Sequence, residues 1–285
     1  MTSDLKVNGK RLHLVDVNNH AGGDEVVLFL HGISASWRWF VEIIPEMARS
    51  HRVVALDLPG FGHSEYSSAH TSFTGLARSV EATCAELGVA KVTVVGHSMG
   101  SIVGTRLAIC SPGLVDKLVI TGGPILSLTE LPRRPAQTVF REPLSVATLL
   151  AELMTIGMPV PGFIASRIAS SPKLLKLLLG AFVERPECLD PDVMMQVMSA
   201  LGARGSFPVL FSTFAEDPNQ GLDQISCQTK IIRGPGDPLS SRSDVERFLR
   251  LVPTASVVEI AGTGHWPHLE KPQEFVAELR AFLGR

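Results

Sequence analysis

The feature that most limits what this chain can fold into is the repeated exchange of short β-branched runs for longer helical patterns. Leu5–Val7 and Leu12–Val17 flank Asn8-Gly9, a pair suited to the two left-handed positions of a tight hairpin. Val26–Leu30 then precedes a helical pattern over Trp37–Arg49, Val53–Leu56 one over Phe73–Leu87, and Val92–Val95 one over Ser98–Ile109. Leu118–Thr121 is a further run; Lys230–Ile232 and Ser256–Ile260 come late, trailed by helical patterns over Ser243–Leu251 and Pro272–Leu283. Continuous apolar strands separated by helices predict an α/β fold, with a mostly parallel eight-stranded sheet covered by helices on both faces.

The exchange stops between about Pro124 and Asp217. Proline-broken helical stretches such as "PLSVATLLAELMTIGMPVPG" and "SPKLLKLLLGAFVERP" fill that interval, with methionines at 154, 158, 194, 195 and 198. The expected division is a core of 1–123 and 218–285 with an all-helical cap over 124–217. Such a cap should lie above the carboxyl ends of the strands, where wound sheets bind ligands.

Composition narrows the partners. A chain of 285 residues with 45% hydrophobic side chains can bury a large core, and a formal charge of -2 creates no field that would attract nucleic acid or an anionic membrane. Arg133, Arg134 and Arg141 form a local basic cluster that a solvated loop explains. Cys84, Cys110, Cys188 and Cys227 show no paired spacing and read as reduced, mostly buried thiols. With no leader pattern at the first residues and no apolar run of membrane-spanning length, the expectation is a cytoplasmic protein without stable membrane insertion, acting on a small molecule. Protein partners stay unspecified.

"VVGHSMGSIVG" carries the chemistry. Gly96 and Gly100 bracket Ser98 between a strand and a helix, where a sharp turn leaves no room for flanking side chains. The helix that starts there aims its amides at the serine, so the Met99 amide can bind an oxyanion. A plain turn serine is the competing explanation. A nucleophilic serine needs a base oriented by an acid. Of the nine histidines, His265 in "IAGTGHWPHLEKPQEF" sits on a glycine-bracketed loop after the last strand; His13, His20, His51, His63 and His70 read as surface or capping residues. His97 points away from any partner on its own turn, and His268 lacks the further ligands a metal would need. Asp237 in "IIRGPGDPLSS" follows the penultimate strand by a short turn and is favoured as the acid over Asp217 and Asp223. In "LFLHGISASW", Gly32 allows a bend that turns the Ile33 amide toward Ser98, which leaves His31 structural.

With these five segments in register, the chain resembles the α/β-hydrolase fold superfamily along nearly its whole length. "HGIS" is similar to the oxyanion strand end, "DLPGFGHS" to the following loop, "GHSMGS" to the nucleophile elbow, "GPGDPL" to the acid turn and "GTGHWPHLEKP" to the histidine loop. The order serine, aspartate, histidine is that of the superfamily. The resemblance implies a Ser98–Asp237–His265 triad, an oxyanion hole of the Ile33 and Met99 amides, and no metal or organic cofactor. Ser101 departs from the pattern, since many relatives carry a glycine there. Serine at 98 speaks against dehalogenase or epoxide-hydrolase chemistry, which uses a carboxylate nucleophile in related proteins.

The expected function is hydrolysis of a carboxylic ester or thioester of a small apolar acyl or aromatic compound. Carbon-carbon bond hydrolysis, cofactor-free oxygenation and a low-turnover ligand-binding role stay open beside it. Trp37, Trp39, Phe61 and Trp266 are candidates to line the pocket mouth, and Trp37, Trp266, Met154 and Met158 the preferred substrate contacts. "KLLKLLL" is explained as a cap helix as readily as by docking on a membrane.

Overall fold

The computed structural model describes residues 2–18, 25–68, 71–153, 160–198 and 202–284. Its strands are β1 (Thr2–Val7), β2 (Lys10–Val17), β3 (Val26–Leu30), β4 (Arg52–Leu56), β5 (Val92–His97), β6 (Val115–Thr121), β7 (Gln228–Arg233) and β8 (Ala255–Glu259). They form one sheet in the order β1-β2-β4-β3-β5-β6-β7-β8. β1 pairs antiparallel with β2 and β2 with β4, and every later pairing is parallel. The β1–β2 hairpin turns on Asn8 and Gly9, both at positive φ (48° and 78°), as a two-residue turn matched to strand twist requires.

The helices follow as α1 (Ile44–Met47), α2 (Phe73–Glu86), α3 (Met99–Cys110), α4 (Leu126–Glu130), α5 (Pro135–Arg141), α6 (Pro143–Leu153), α7 (Gly162–Ala169), α8 (Pro172–Leu179), α9 (Pro191–Met198), α10 (Ser206–Ser212), α11 (Arg242–Leu251), α12 (Pro267–Glu270) and α13 (Pro272–Leu283). The helix expected over Trp37–Arg49 is instead a 3-10 turn, Trp37–Phe40, followed by the single turn α1. Pro45 brings no N–H and starts a helix more readily than it continues one. The Trp37 amide, meanwhile, donates to the buried Asp57 carboxylate at 2.8 Å, which anchors the start of the 3-10 turn.

Alternation along the strands divides the core into two layers. Leu28, Leu30, Val54, Leu56, Val92, Val94, Leu118, Ile120 and Ile231 pack on one face with α2, α3 and α11. Val27, Phe29, Val53, Ala55, Val95, Val119 and Ile232 pack on the other with Phe40, Ile43, Phe275 and Leu279. Both faces of β3, β4 and β5 are therefore dry, which explains why those runs read as unbroken apolar sequence.

Helices α4 to α10 lie between β6 and β7 in the chain. Side chains on α11 tie down the first of them. Asp244 accepts from the Ser127 amide and hydroxyl at 2.9 and 2.6 Å, Arg247 grips Glu130 with two nitrogens, and Glu142 receives the Ser241 and Ser243 hydroxyls. The cysteines are all free, but Cys110 and Cys188 are exposed, contrary to the expectation of mostly buried thiols. Cys110 ends α3 where the helix reaches the surface. Among the described residues no helix is long and apolar enough to cross a membrane.

Candidate active site

Ser98 occupies a sharp turn between strand and helix. It follows β5, caps α3, and holds φ 52° and ψ −117°, a conformation that side chains rarely adopt. Backbone contact on both sides enforces it: a Cβ on Gly96 would strike the Gly100 carbonyl, and a Cβ on Gly100 would strike the Leu30 carbonyl. The Ser98 amide donates to Thr121 at 2.9 Å, and the Ser101 hydroxyl donates to the Ser98 carbonyl at 2.6 Å. Ser101, the departure from the family pattern, thus braces the turn from inside the first helical turn.

His265 lies on the loop after β8. Its Nδ1 is 2.9 Å from both Asp237 oxygens, and Asp237 Oδ1 also accepts the Leu239 and Ser240 amides. Since a carboxylate only accepts, Nδ1 carries the proton, and in the neutral ring Nε2 is left as the basic nitrogen. Burial opposes charge on His265, but the Asp237 charge and hydrogen bond, with Glu152 and Glu270 beyond, hold its pKa above the ordinary histidine value. Burial likewise pushes Asp237 up, and the charge and hydrogen bond of His265 outweigh it, leaving the carboxyl below its usual range. Both partners therefore favour the imidazolium–carboxylate pair.

A second carboxylate fixes the loop. Glu270 accepts the Gly264 and Trp266 amides on one oxygen and the Glu184 amide on the other, while the His265 amide donates to Phe182 at 2.6 Å. Segments 182–184 and 264–266 are thereby laced together. Beneath them His97 donates from Nε2 to the His265 carbonyl at 3.2 Å. Burial and the neighbouring His268 and His265 keep His97 far below the usual histidine range, and burial pushes His268 down to about 3. Both are neutral spacers between Trp39, Phe40 and Phe275. His31, as expected, is structural: it donates from Nδ1 to Gly32 and accepts the Leu58 amide at Nε2.

Two cavities meet at Ser98. The larger, about 640 Å³, is bounded by Met99, Ile102, Leu128, Leu149, Leu210 and Phe211, among others. The smaller, about 420 Å³, is bounded by Trp39, Phe182, Met194, Val197, His265 and Trp266, among others. Ser98, Ile33 and Glu152 border both. The structure thus brings Ser98, Asp237, His265, Ile33 and Met99 to one place. Of the tryptophans, Trp39 and Trp266 reach the cavity. Trp37 and Phe61 do not: Trp37 packs on the sheet core under the Arg38 guanidinium, and Phe61 is buried against His31. In a 3-10 turn residues two apart face different directions, so exposing Trp39 to the cavity turns Trp37 inward. Met154 and Met158, like His20 and His70, lie outside the described residues. Met194 and Met198 border the smaller cavity. The sequence motifs assign no role to Glu152 or Glu270. Glu152 had a signal, as the one charged residue between Pro143 and Gly162.

The mostly parallel sheet, with a serine at a strained strand-to-helix turn and a histidine–aspartate pair on the loops after β7 and β8, has the architecture of a hydrolase fold. The alpha/beta hydrolase family model matches residues 27–279, and the chain belongs to that family. A 2-hydroxy-6-oxononadienedioate/2-hydroxy-6-oxononatrienedioate hydrolase of a Pseudomonas species is 26% identical over 98% of this chain and 94% of its own. The sn-1-specific diacylglycerol lipase ABHD11 of Mus musculus is 23% identical over 90% of this chain and 80% of its own. Among solved structures, a thermophilic esterase from Thermogutta terrifontis superposes with a TM-score of 0.72 at 22% identity, covering 99% of this chain and 98% of that one.

Proposed function

We propose that the protein is a serine hydrolase that cleaves an uncharged, apolar carboxylic ester or thioester through an acyl-enzyme on Ser98. The observation that carries this reading is the Asp237-oriented His265 bordering, with Ser98, a site walled by apolar side chains. His265 Nε2 takes the Ser98 proton as Oγ attacks the acyl carbon. The Ile33 and Met99 amides receive the oxyanion, and the imidazolium returns the proton to the leaving alcohol or thiol. A water molecule repeats the sequence against the acyl-enzyme and frees the acid and Ser98. The described residues of 124–217 that border the two cavities act as a lid, with the acyl part in one and the leaving group in the other.

Serine at the turn sets this reading apart from carboxylate-nucleophile chemistry. Hydrolysis of a dioate, the substrate class in the name of one relative, calls for cations to meet two carboxylates. No lysine or arginine is found among the described residues of either lining, and the undescribed stretch 154–159, "MTIGMP", contains none. The test is a panel of p-nitrophenyl esters of rising chain length, run beside fluorophosphonate labelling. Labelling lost in Ser98→Ala, together with a preference for medium or long apolar acyl groups, is expected. A folded protein whose Ser98 resists the probe and which cleaves no ester overturns the reading.

A further inference from the structure

The two cavities that meet at Ser98 differ in which reacting group borders each. His265 and Trp266 border the smaller and not the larger, whereas Met99 and Ile102 border the larger and not the smaller. Ser98 and Ile33 border both, so the scissile carbonyl belongs at the junction. Attack by Ser98 on an ester makes a tetrahedral carbon whose substituents cannot be shared out freely. Oγ holds one position, and the oxyanion, facing the Ile33 and Met99 amides, holds a second. The leaving oxygen or sulfur takes the position nearest His265, because that atom must collect the proton from Nε2 as its bond to carbon breaks. The acyl carbon is left with the direction away from the imidazole.

Resting on the ester-hydrolase reading of this same site, we propose that the smaller cavity takes the leaving group and the larger one the acyl group, so that the substrate is an ester or thioester of a long-chain acid with a more compact apolar alcohol or thiol. The volumes, about 640 against about 420 Å³, give the acyl side the greater room. The larger cavity also has a wall that continues outward. Phe207, Phe211 and Phe214 border it as an aromatic ladder with successive ring centroids 6.5 and 6.2 Å apart, and Phe211 and Phe214 are 63% and 69% exposed. An acyl chain that outgrows the enclosed space therefore meets apolar surface before water, and each further methylene it covers there still gains from burial. On the other side Trp39 and Trp266 meet edge to face at 4.8 Å and form an aromatic wall of the smaller cavity beside His265.

The experiment traps the acyl side directly. p-Nitrophenyl ethyl octylphosphonate carries an octyl chain where the acyl chain would be; Ser98 Oγ should bond to its phosphorus as p-nitrophenolate leaves and the serine proton passes to His265. A crystal structure of that adduct should show the octyl chain in the larger cavity, on the Phe207 side, and a chain in the smaller cavity overturns the proposal. Turnover gives a second readout, since ethyl octanoate and octyl acetate are isomers with the long half exchanged. Leu210→Trp, at a half-buried position of the larger lining, should lower kcat/KM for ethyl octanoate by about tenfold and change that for octyl acetate by less than about twofold. Ile168→Trp, at a half-buried position of the smaller lining, should do the opposite. The reverse pattern, or equal losses on both esters in both variants, overturns the assignment. Leu210→Phe and Ile168→Phe carry the same comparison if a tryptophan prevents folding. A folded protein that neither reacts with the phosphonate nor cleaves either ester overturns the ester reading itself, whereas reaction with the chain in the wrong cavity overturns the assignment alone.

Discussion

The His265 amide donates to the Phe182 carbonyl at 2.6 Å, so the loop that carries the imidazole is sewn to a helical segment that borders the smaller cavity. Glu270 completes the seam by accepting three further amides from both sides. Glu270→Ala should leave those donors without an acceptor, costing about 2 kcal/mol of stability and roughly tenfold in kcat/KM. Glu270→Gln, which keeps one acceptor oxygen, should recover part of both. Thermal unfolding and ester kinetics on the two variants check this.

Replacing either proposed catalytic side chain should stop turnover. Ser98→Ala and His265→Ala are each expected to lower kcat by on the order of 10³-fold or more, and the double variant by little beyond either single, because the pair acts as a unit. Additive losses would count against it.

In its proposed role as base, His265 must be neutral, and its pKa is raised. As pH falls, the ring takes up its proton earlier than a free imidazole would, so the acid limb of kcat/KM should have its midpoint above about 6.5. Asp237→Asn removes the attraction that raises it and should move the limb to lower pH while cutting kcat. A pH profile of wild type and variant decides the matter.

The Ser98 turn makes a steric prediction. Gly100→Ala places a methyl on the Leu30 carbonyl, where neither backbone can yield, and should cost about 3 kcal/mol or prevent folding. Ser101→Ala removes only the hydroxyl that braces Ser98 and should cost about 1 kcal/mol. Denaturant unfolding of the two variants measures the difference.

Asp244, buried where the helical segment meets α11, has its carboxyl pushed up from 3.8 to about 6, chiefly by burial. The folded state therefore holds this proton more tightly than the unfolded chain. The contribution is fully present below about pH 4 and is lost as pH rises through 6, with a span of about 3 kcal/mol. Wild type should gain stability relative to Asp244→Asn when both are taken from pH 8 to pH 5. Thermal unfolding of both proteins at the two pH values tests the sign.

Much of this was written locally. Short β-branched runs bounded by turns made all eight strands legible, β3 to β5 as unbroken apolar runs buried on two faces, and so was the hairpin at Asn8-Gly9, where φ must be positive. Gly96 and Gly100 announced the serine turn because only a missing side chain fits between backbones that close. Asp237 and His265 were legible by their place just after strands, where loops gather at one edge of the sheet. The helix over Trp37–Arg49 was not, because Pro45 interrupts it and a carboxylate 20 residues away, Asp57, anchors its first residue in a 3-10 turn. What only the tertiary structure decided was which residues share a cavity: Trp39 in place of Trp37, Glu152 at the junction, and Glu270 holding the histidine loop. Those roles depend on contacts between segments far apart in the chain, such as 184 with 270, and no periodicity within one segment encodes them.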